Sequence, residues 1–218
     1  MSFSYGIIGD SGKMGNELTH LFNEAGHKKV YSLDLKNENR LGRPEVLIDF
    51  SSPEVLEKSI SLSLEFSSPL ILGTTGFNEV HFQRIRQTAE KVAVVQSYNF
   101  SIGIQMLIKC TELLKDKLDG WDIEISETHH RFKKDKPSGT AIMIRNAIGS
   151  DVPVTSHRLG NVPGDHSVFF GGLGEVITIS HSATSRRTFA EGVLKSAVFV
   201  INKKSGLYSF KDVLFSDK

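Results

Sequence analysis

The densest chemistry in the chain lies between Glu127 and Ala141, in the stretch ETHHRFKKDKPSGTA. Two adjacent histidines, His129 and His130, precede Lys133 and then Ser138-Gly139-Thr140, which open a helix-compatible run. In an extended segment neighbouring side chains point to opposite faces, so His129 and His130 are badly placed to ligate one metal. No HxxxH spacing or cysteine cluster supports zinc either, and no metal is expected. The free N–H groups of a helix beginning at Gly139 and Thr140 suit a carboxylate. Together these residues describe a pocket for a small polyanion with proton donors beside it. They would also suit a solvated charged loop ending in a helix cap.

A second constellation sits near the start, in YGIIGDSGKMG, where Gly9, Gly12 and Gly15 follow a strand and open a helix. Glycine permits a tight turn and close approach of backbone to a pyrophosphate, whose charge the helix N-terminus stabilises. The spacing is GxxGxxG, with Ser11 where the usual motif has its middle glycine. Asp34 ends the next strand roughly 20 residues beyond Gly15, where a carboxylate can bind ribose hydroxyls. Such an acid repels a 2′-phosphate and leans toward NAD, although Lys13 and Lys36 could offset it. GTTG (73–76) and SYNFS (97–101) follow two further strands, at the strand ends where ligands of open α/β sheets bind.

These residues need a scaffold, and the first hundred positions supply one. Short β-rich runs at 3–8, 29–34, 45–50, 69–73 and 91–96 alternate with helical patterns. That alternation predicts a parallel sheet covered by helices. Ser52-Pro53 and Asn78 read as helix starts. The polar connection Leu35–Pro44 is near the lower limit for a crossover, so a shortened or absent helix is expected there. Beyond Ser101 the pattern changes to a long helix over 102–118, a half-buried strand over 121–126 and a short helix over 141–148. A β-branched, glycine-rich stretch of mixed or antiparallel sheet follows. A last helix, 189–201, places Phe189, Val193, Leu194, Ala197, Val198 and Ile201 on one face.

Bulk properties narrow the function classes. Lys+Arg (26) nearly balance Asp+Glu (25), so a broad nucleic-acid-binding face is not expected. No run approaches the ~20 apolar residues of a membrane span, and no signal peptide is apparent. The single Cys110 cannot form an internal disulfide, which favours a reducing compartment, and it is expected to be buried. A cytoplasmic globular protein is the expectation.

The stretch at 127–141 resembles the E-x-HH-x-x-K-x-D-x-PSGTA pattern of the 4-hydroxy-tetrahydrodipicolinate reductases, also called dihydrodipicolinate reductases. The resemblance runs along nearly the whole chain. GDSGKMG is similar to that family's glycine loop, and DFS-x-P (49–53), GTTG and YNFSIG (98–103) to its strand-end motifs. RLGNVPGDHSVFF and ITISHSATSRRTFAEGV are similar to its later segments. Two departures stand out: Leu35 follows the ribose-binding acid where the family often has Arg, and the next connection is abbreviated.

The resemblance implies an α/β protein, with a Rossmann-like dinucleotide domain at 1–101 plus 187–218. An α+β substrate and oligomerisation domain would occupy 102–186, in a homotetramer with a hinge between the domains. It implies NADH or NADPH bound by Gly9, Asp10, Ser11, Gly12, Lys13, Met14, Asp34, Gly73, Thr74, Thr75, Ser97, Tyr98, Asn99 and Phe100. The substrate would be a small cyclic dicarboxylate, reduced with loss of water on the diaminopimelate route to lysine. His129 and Lys133 would carry the proton chemistry, with Lys133 the donor, while His130, Gly139 and Thr140 bind substrate. Arg131 and Lys134 have no match in the pattern and are expected as surface or electrostatic support. His157, Arg158 and His166 are expected as satisfied structural polar residues, and for His181 packing or oligomer contact is expected at least as much as catalysis. Two rivals are another nicotinamide dehydrogenase on the same architecture and a dinucleotide-sensing regulator without turnover.

Overall fold

The computed structural model describes residues 2–35, 37–149 and 152–216. The chain divides into two compact units, Met1–Phe100 with Phe189–Lys218, and Ser101–Thr188.

The first unit is built on a seven-stranded sheet. Its strands are β1 (Ser4–Ile8), β2 (Lys28–Leu33), β3 (Glu38–Arg40), β4 (Val46–Asp49), β5 (Leu70–Leu72), β6 (Ala93–Gln96) and β11 (Gly206–Tyr208). They lie in the order β11-β6-β5-β4-β1-β2-β3. Every pairing is parallel except β2 with β3. β1 therefore has β2 on one side and β4 on the other, and the strand order reverses there. That switch point is where a ligand crevice opens at the carboxyl ends of the strands.

The reversal of strand order at β1 puts α1 (Lys13–Glu24) on one face of this sheet and α2 (Leu56–Phe66) and α3 (Glu79–Ala89) on the other, as the usual right-handed crossover requires. The side chains agree. Tyr5 of β1 meets Phe22 of α1 with ring centroids 4.8 Å apart. Ile8, Leu47, Leu70, Leu72 and Val94, pointing the other way, pack with Leu56, Ile60 and Ile85. Asn78 caps α3 in a reciprocal box with His81. Ser52-Pro53 opens a short 3-10 turn, Pro53–Val55, before α2, and the Ser52 side chain makes no cap bond.

The abbreviated connection after β2 holds a strand and no helix among its described residues. A parallel crossover must carry the chain back to the start of the sheet, and β3 does so itself by running antiparallel to β2. The chain then passes the beginnings of β2 and β1, with Leu41 N–H bonded to Val30 O and Glu45 N–H to Ser4 O.

The second unit has a four-stranded mixed sheet in the order β10-β9-β7-β8. Its strands are β7 (Asp122–His129), β8 (Val154–Arg158), β9 (Asp165–Gly171) and β10 (Val176–Ser182). β7 pairs parallel with β8 and antiparallel with β9. α4 (Ile102–Lys115) and α5 (Gly139–Ile148) pack Ile104, Leu107, Ile108 and Ile144 against Ile125, Val168 and Phe170. On the opposite face Phe169 and Val176 are exposed.

The expected burial of Cys110 is corrected, and the apolar face of the last helix is only partly the buried one. Cys110 is exposed, because α4 turns Ile104, Leu107, Ile108 and Thr111 inward and leaves Met106, Cys110 and Leu113 on its outer stripe. In α6 (Arg187–Val200) the buried stripe is Ala190, Val193, Ala197 and Val200, while Val198 is exposed. Small residues set that choice: a Cβ on Gly192 would fall 1.8 Å from Phe100 O, so this face lies against backbone. α7 (Phe210–Phe215) ends the described chain. No helix among the described residues is long and apolar enough to cross a membrane.

Candidate active site

The site residues fall into two groups, one in each unit. In the first, β1 delivers the chain into the glycine loop. Gly9 has φ 85°, and a Cβ there would lie 2.6 Å from Phe50 O. A Cβ on Gly15 would lie 2.3 Å from Gly9 O, so α1 can approach the loop only without a side chain there. Gly12 caps α1 with no side-chain bond, leaving the first-turn amides open to an anion.

Asp34, just past β2, faces this loop. Its Oδ2 accepts the Ser11 N–H at 2.9 Å and its Oδ1 the Leu35 N–H at 2.8 Å. Bonds from the Ser11 side chain and from the Leu35 and Ser11 backbones hold its pKa below the usual carboxylate range. A groove of about 570 Å³ runs past Gly9, Ser11, Gly12 and Asp34, with Phe50, Ser51 and Lys58 also on its walls. An extended groove between a helix N-terminus and an ionised acid fits a dinucleotide.

The other expected cofactor residues are placed unequally. The Asp10 carboxylate is engaged by Lys29 Nζ at 2.8 and 2.9 Å and by Thr19, so its side chain is turned to its own scaffold. Lys13 is exposed and Met14 half-buried; Lys36 lies outside the described residues. Thr74 is buried and bonds Asp49 at 3.1 Å. Asp49, itself fully buried, also accepts from Ser51 and from Ser59, which ties the ends of β4 and β5 together. A Cβ on Gly73 would lie 2.1 Å from the Phe50 ring, while Thr75 is exposed. Ser97 Oγ closes a turn on Asn99, and Tyr98 is half-buried. Phe100 is buried between Phe50 and Phe210. Its side chain belongs to the core, so only its backbone is left for a ligand.

In the second unit, β7 places Ile125, Glu127 and His129 on one buried face, as the two-residue period of a strand requires. His129 Nδ1 bonds Glu127 Oε2 in a short contact. Arg158, paired across β8 with His129, grips the same carboxylate with two bonds of 2.9 Å. The Ser138 N–H bonds Glu127 Oε1 at 3.3 Å. Burial alone would raise the Glu127 pKa, but bonds from Arg158, His129 and Ser156 outweigh it and hold it at about 2. Burial lowers the His129 pKa, Glu127 pulls it back up, and Lys133 and Arg158 lower it again.

Arg158 also donates to the backbone carbonyls of Lys133 at 3.3 Å and Asp135 at 2.5 Å, fixing the loop after β7. Lys133 Nζ pairs with Asp135 at 2.8 Å and is largely sheltered. Burial raises the Asp135 carboxyl, yet the Lys133 partner wins and holds it below its ordinary value. The Lys136-Pro137 bond is cis. Ser138 then caps α5, its Oγ accepting the Ala141 N–H at 3.1 Å, which puts Gly139 and Thr140 in the first turn. His130 is half-buried; Arg131 and Lys134 are exposed.

Sequence reasoning missed Glu127 and Arg158 as parts of this cluster. The signal for Glu127 was available: it lies two residues before His129 on an alternating strand. His166 of β9 joins them, its ring centroid 5.2 Å from that of His129. Burial, then the neighbouring His129, pushes its pKa down to about 3, so it is neutral. Among the described residues no group of three or more His, Cys, Asp or Glu is placed to hold a metal ion.

Comparison with known proteins agrees along the whole length. Residues 3–100 match the family model "Dihydrodipicolinate reductase, N-terminus", and residues 103–214 match "Dihydrodipicolinate reductase, C-terminus". The 4-hydroxy-tetrahydrodipicolinate reductase of Thermosipho africanus (strain TCF52B) is 48% identical over 210 residues, spanning 96% of this chain and 97% of its own. That of Rickettsia rickettsii (strain Sheila Smith) is 35% identical, over 95% and 97%. Among solved structures, the dipicolinate-bound dihydrodipicolinate reductase from Paenisporosarcina sp. TG-14 superposes with a TM-score of 0.78. It is 26% identical and covers 97% of this chain and 99% of that one.

Proposed function

The chain belongs to the dihydrodipicolinate reductase family, and on that premise we propose how its residues serve the family's reaction. It reduces 4-hydroxy-tetrahydrodipicolinate with NADH or NADPH, giving tetrahydrodipicolinate and water in the diaminopimelate route to lysine. Per turnover one hydride and one proton are taken up and the substrate hydroxyl leaves as water. The nicotinamide supplies the hydride; everything else must come from the chain.

The observation that carries the assignment of roles is the buried cluster at the end of β7. There a histidine and a lysine lie beside the start of α5. The α5 first turn, at Gly139 and Thr140, receives one carboxylate of the substrate through its N–H groups. His130 contacts the substrate as well. Lys133, sheltered and paired with Asp135, gives a proton to the nitrogen-conjugated carbon framework as hydride arrives. His129, whose pKa burial holds below the ordinary histidine value, donates or accepts a proton. Gly9, Ser11, Gly12 and Asp34 hold the dinucleotide, with Asp34 toward the ribose. Gly73, Thr75, Ser97, Tyr98 and Asn99 line the remaining strand ends.

We also assign the chain to a cytoplasmic homotetramer. The exposed sheet face bearing Phe169 and Val176 supports assembly through the second unit; light scattering on the purified protein reads the mass directly.

Turnover is tested by following NADH and NADPH oxidation with freshly generated 4-hydroxy-tetrahydrodipicolinate. Substrate-dependent oxidation with either cofactor is the expected result. Dinucleotide binding without oxidation would replace the reductase with a sensor.

A further inference from the structure

The mechanism above gives no task to Glu127, although it is the best-connected buried charge in the second unit. Its two oxygens receive Arg158 twice, the Ser138 N–H and His129 Nδ1. Those partners come from four places: β7 itself, β8, the cap of α5 and, through Arg158, the carbonyls of Lys133 and Asp135. One carboxylate thus ties together the histidine, the loop of the lysine and the helix end that faces the substrate.

We propose that Glu127, clamped by Arg158, is a positioning residue. It fixes the His129 ring through Nδ1 and so leaves Nε2 as the atom that meets the substrate. A carboxylate can only accept, so Nδ1 must carry the proton. On the opposite side of the ring Nε2 faces Gly164, where a Cβ would stand 3.0 Å away, so only glycine avoids crowding that nitrogen. The other charged or titratable groups facing His129 are Lys133, Arg158 and His166, and they are engaged elsewhere: Lys133 with Asp135, Arg158 with Glu127 and His166 with Ser138 Oγ. An acid holding an imidazole in one tautomer is the arrangement used where a histidine must exchange protons from its far nitrogen. Arg158 keeps that acid ionised despite burial.

This rests on the reading of His129 as a substrate-facing group, and a double-mutant cycle separates the two. Glu127→Gln, His129→Gln and the double variant are assayed with NADH and 4-hydroxy-tetrahydrodipicolinate. If Glu127 acts through His129, Glu127→Gln lowers kcat about tenfold or more in the parent. It then lowers kcat less than about twofold once His129 is gone, because groups that act as a unit are not additive. KM for NADH stays unchanged in all variants. In Glu127→Gln the pH limb carried by His129 moves to lower pH, since the carboxylate that raises its pKa is lost. Equal losses in both backgrounds would overturn the positioning role and leave His129 in place. A His129→Gln variant with undiminished kcat would overturn both readings. Should Glu127→Gln not fold, the nitrogen resonances of His129 in the unaltered protein decide instead. A neutral ring protonated at Nδ1 supports the proposal, and one protonated at Nε2 contradicts it.

Discussion

Glu127 and Arg158 meet as a two-pronged ion pair, each carboxylate oxygen 2.9 Å from a guanidinium nitrogen, with the acid fully buried. Removing one partner of such a pair strands a charge away from water, at a cost of about 3–5 kcal/mol, whereas removing both costs much less. Arg158→Met should therefore be far less stable in denaturant melts than the Glu127→Gln/Arg158→Met pair. Similar stability for the two would mean that the pair is not clamped as described.

The same pair sets an acid limit. The folded-state pKa of Glu127, about 2, lies below the unfolded value of ~4.3. The stabilisation is fully present above the unfolded value and is lost as pH falls toward 2. Thermal melts through that window should fall more steeply for the unaltered protein than for the Glu127→Gln/Arg158→Met variant. Parallel curves would remove Glu127 from the acid response.

His166 acts in a higher window. It is buried and neutral with a pKa near 3, while an unfolded histidine titrates near ~6.5. Between those values the unfolded chain binds a proton that the folded chain refuses, so stability is lost as pH falls through the window. The slope is at most about 1.4 kcal/mol per pH unit. His166→Gln should flatten the melting temperature between about pH 6.5 and 4. An unchanged slope would place the response elsewhere.

How much of this was legible in the sequence depends on how local each signal is. Gly9, Gly15 and Asp34 were legible because a glycine loop between strand and helix is a local pattern, and the structure supplies the reasons: Phe50 O and Gly9 O leave no room for a Cβ. β3 was not legible, being three polar residues with exposed side chains that only the return path of the chain explains. Cys110 was misread because α4 carries apolar residues on its outer stripe as well, at Met106 and Leu113. Arg158 was assigned to structure because its grip on Glu127 depends on the register of β7 against β8, and no local spacing encodes that pairing.

Asp34 predicts cofactor discrimination. Its ionised carboxylate, with Leu35 beside it in place of a cation, favours free ribose hydroxyls over a 2′-phosphate. Asp34→Asn should raise KM for NADH about tenfold, the worth of one charged hydrogen bond, and change KM for NADPH little. Equal losses with both cofactors would show that Asp34 shapes the loop without reading the ribose.

The central claim is that the buried cluster of the second unit performs the proton chemistry of a reductase, with Lys133 as donor. Its most direct test runs the unaltered protein and Lys133→Ala side by side, with folding checked by circular dichroism, on freshly generated 4-hydroxy-tetrahydrodipicolinate and NADH. Rapid oxidation by the first and a loss of about 10²–10⁴-fold in kcat by the second are predicted, the usual worth of a positioned general acid. Equal turnover by both would contradict the claim and move the proton donor away from Lys133.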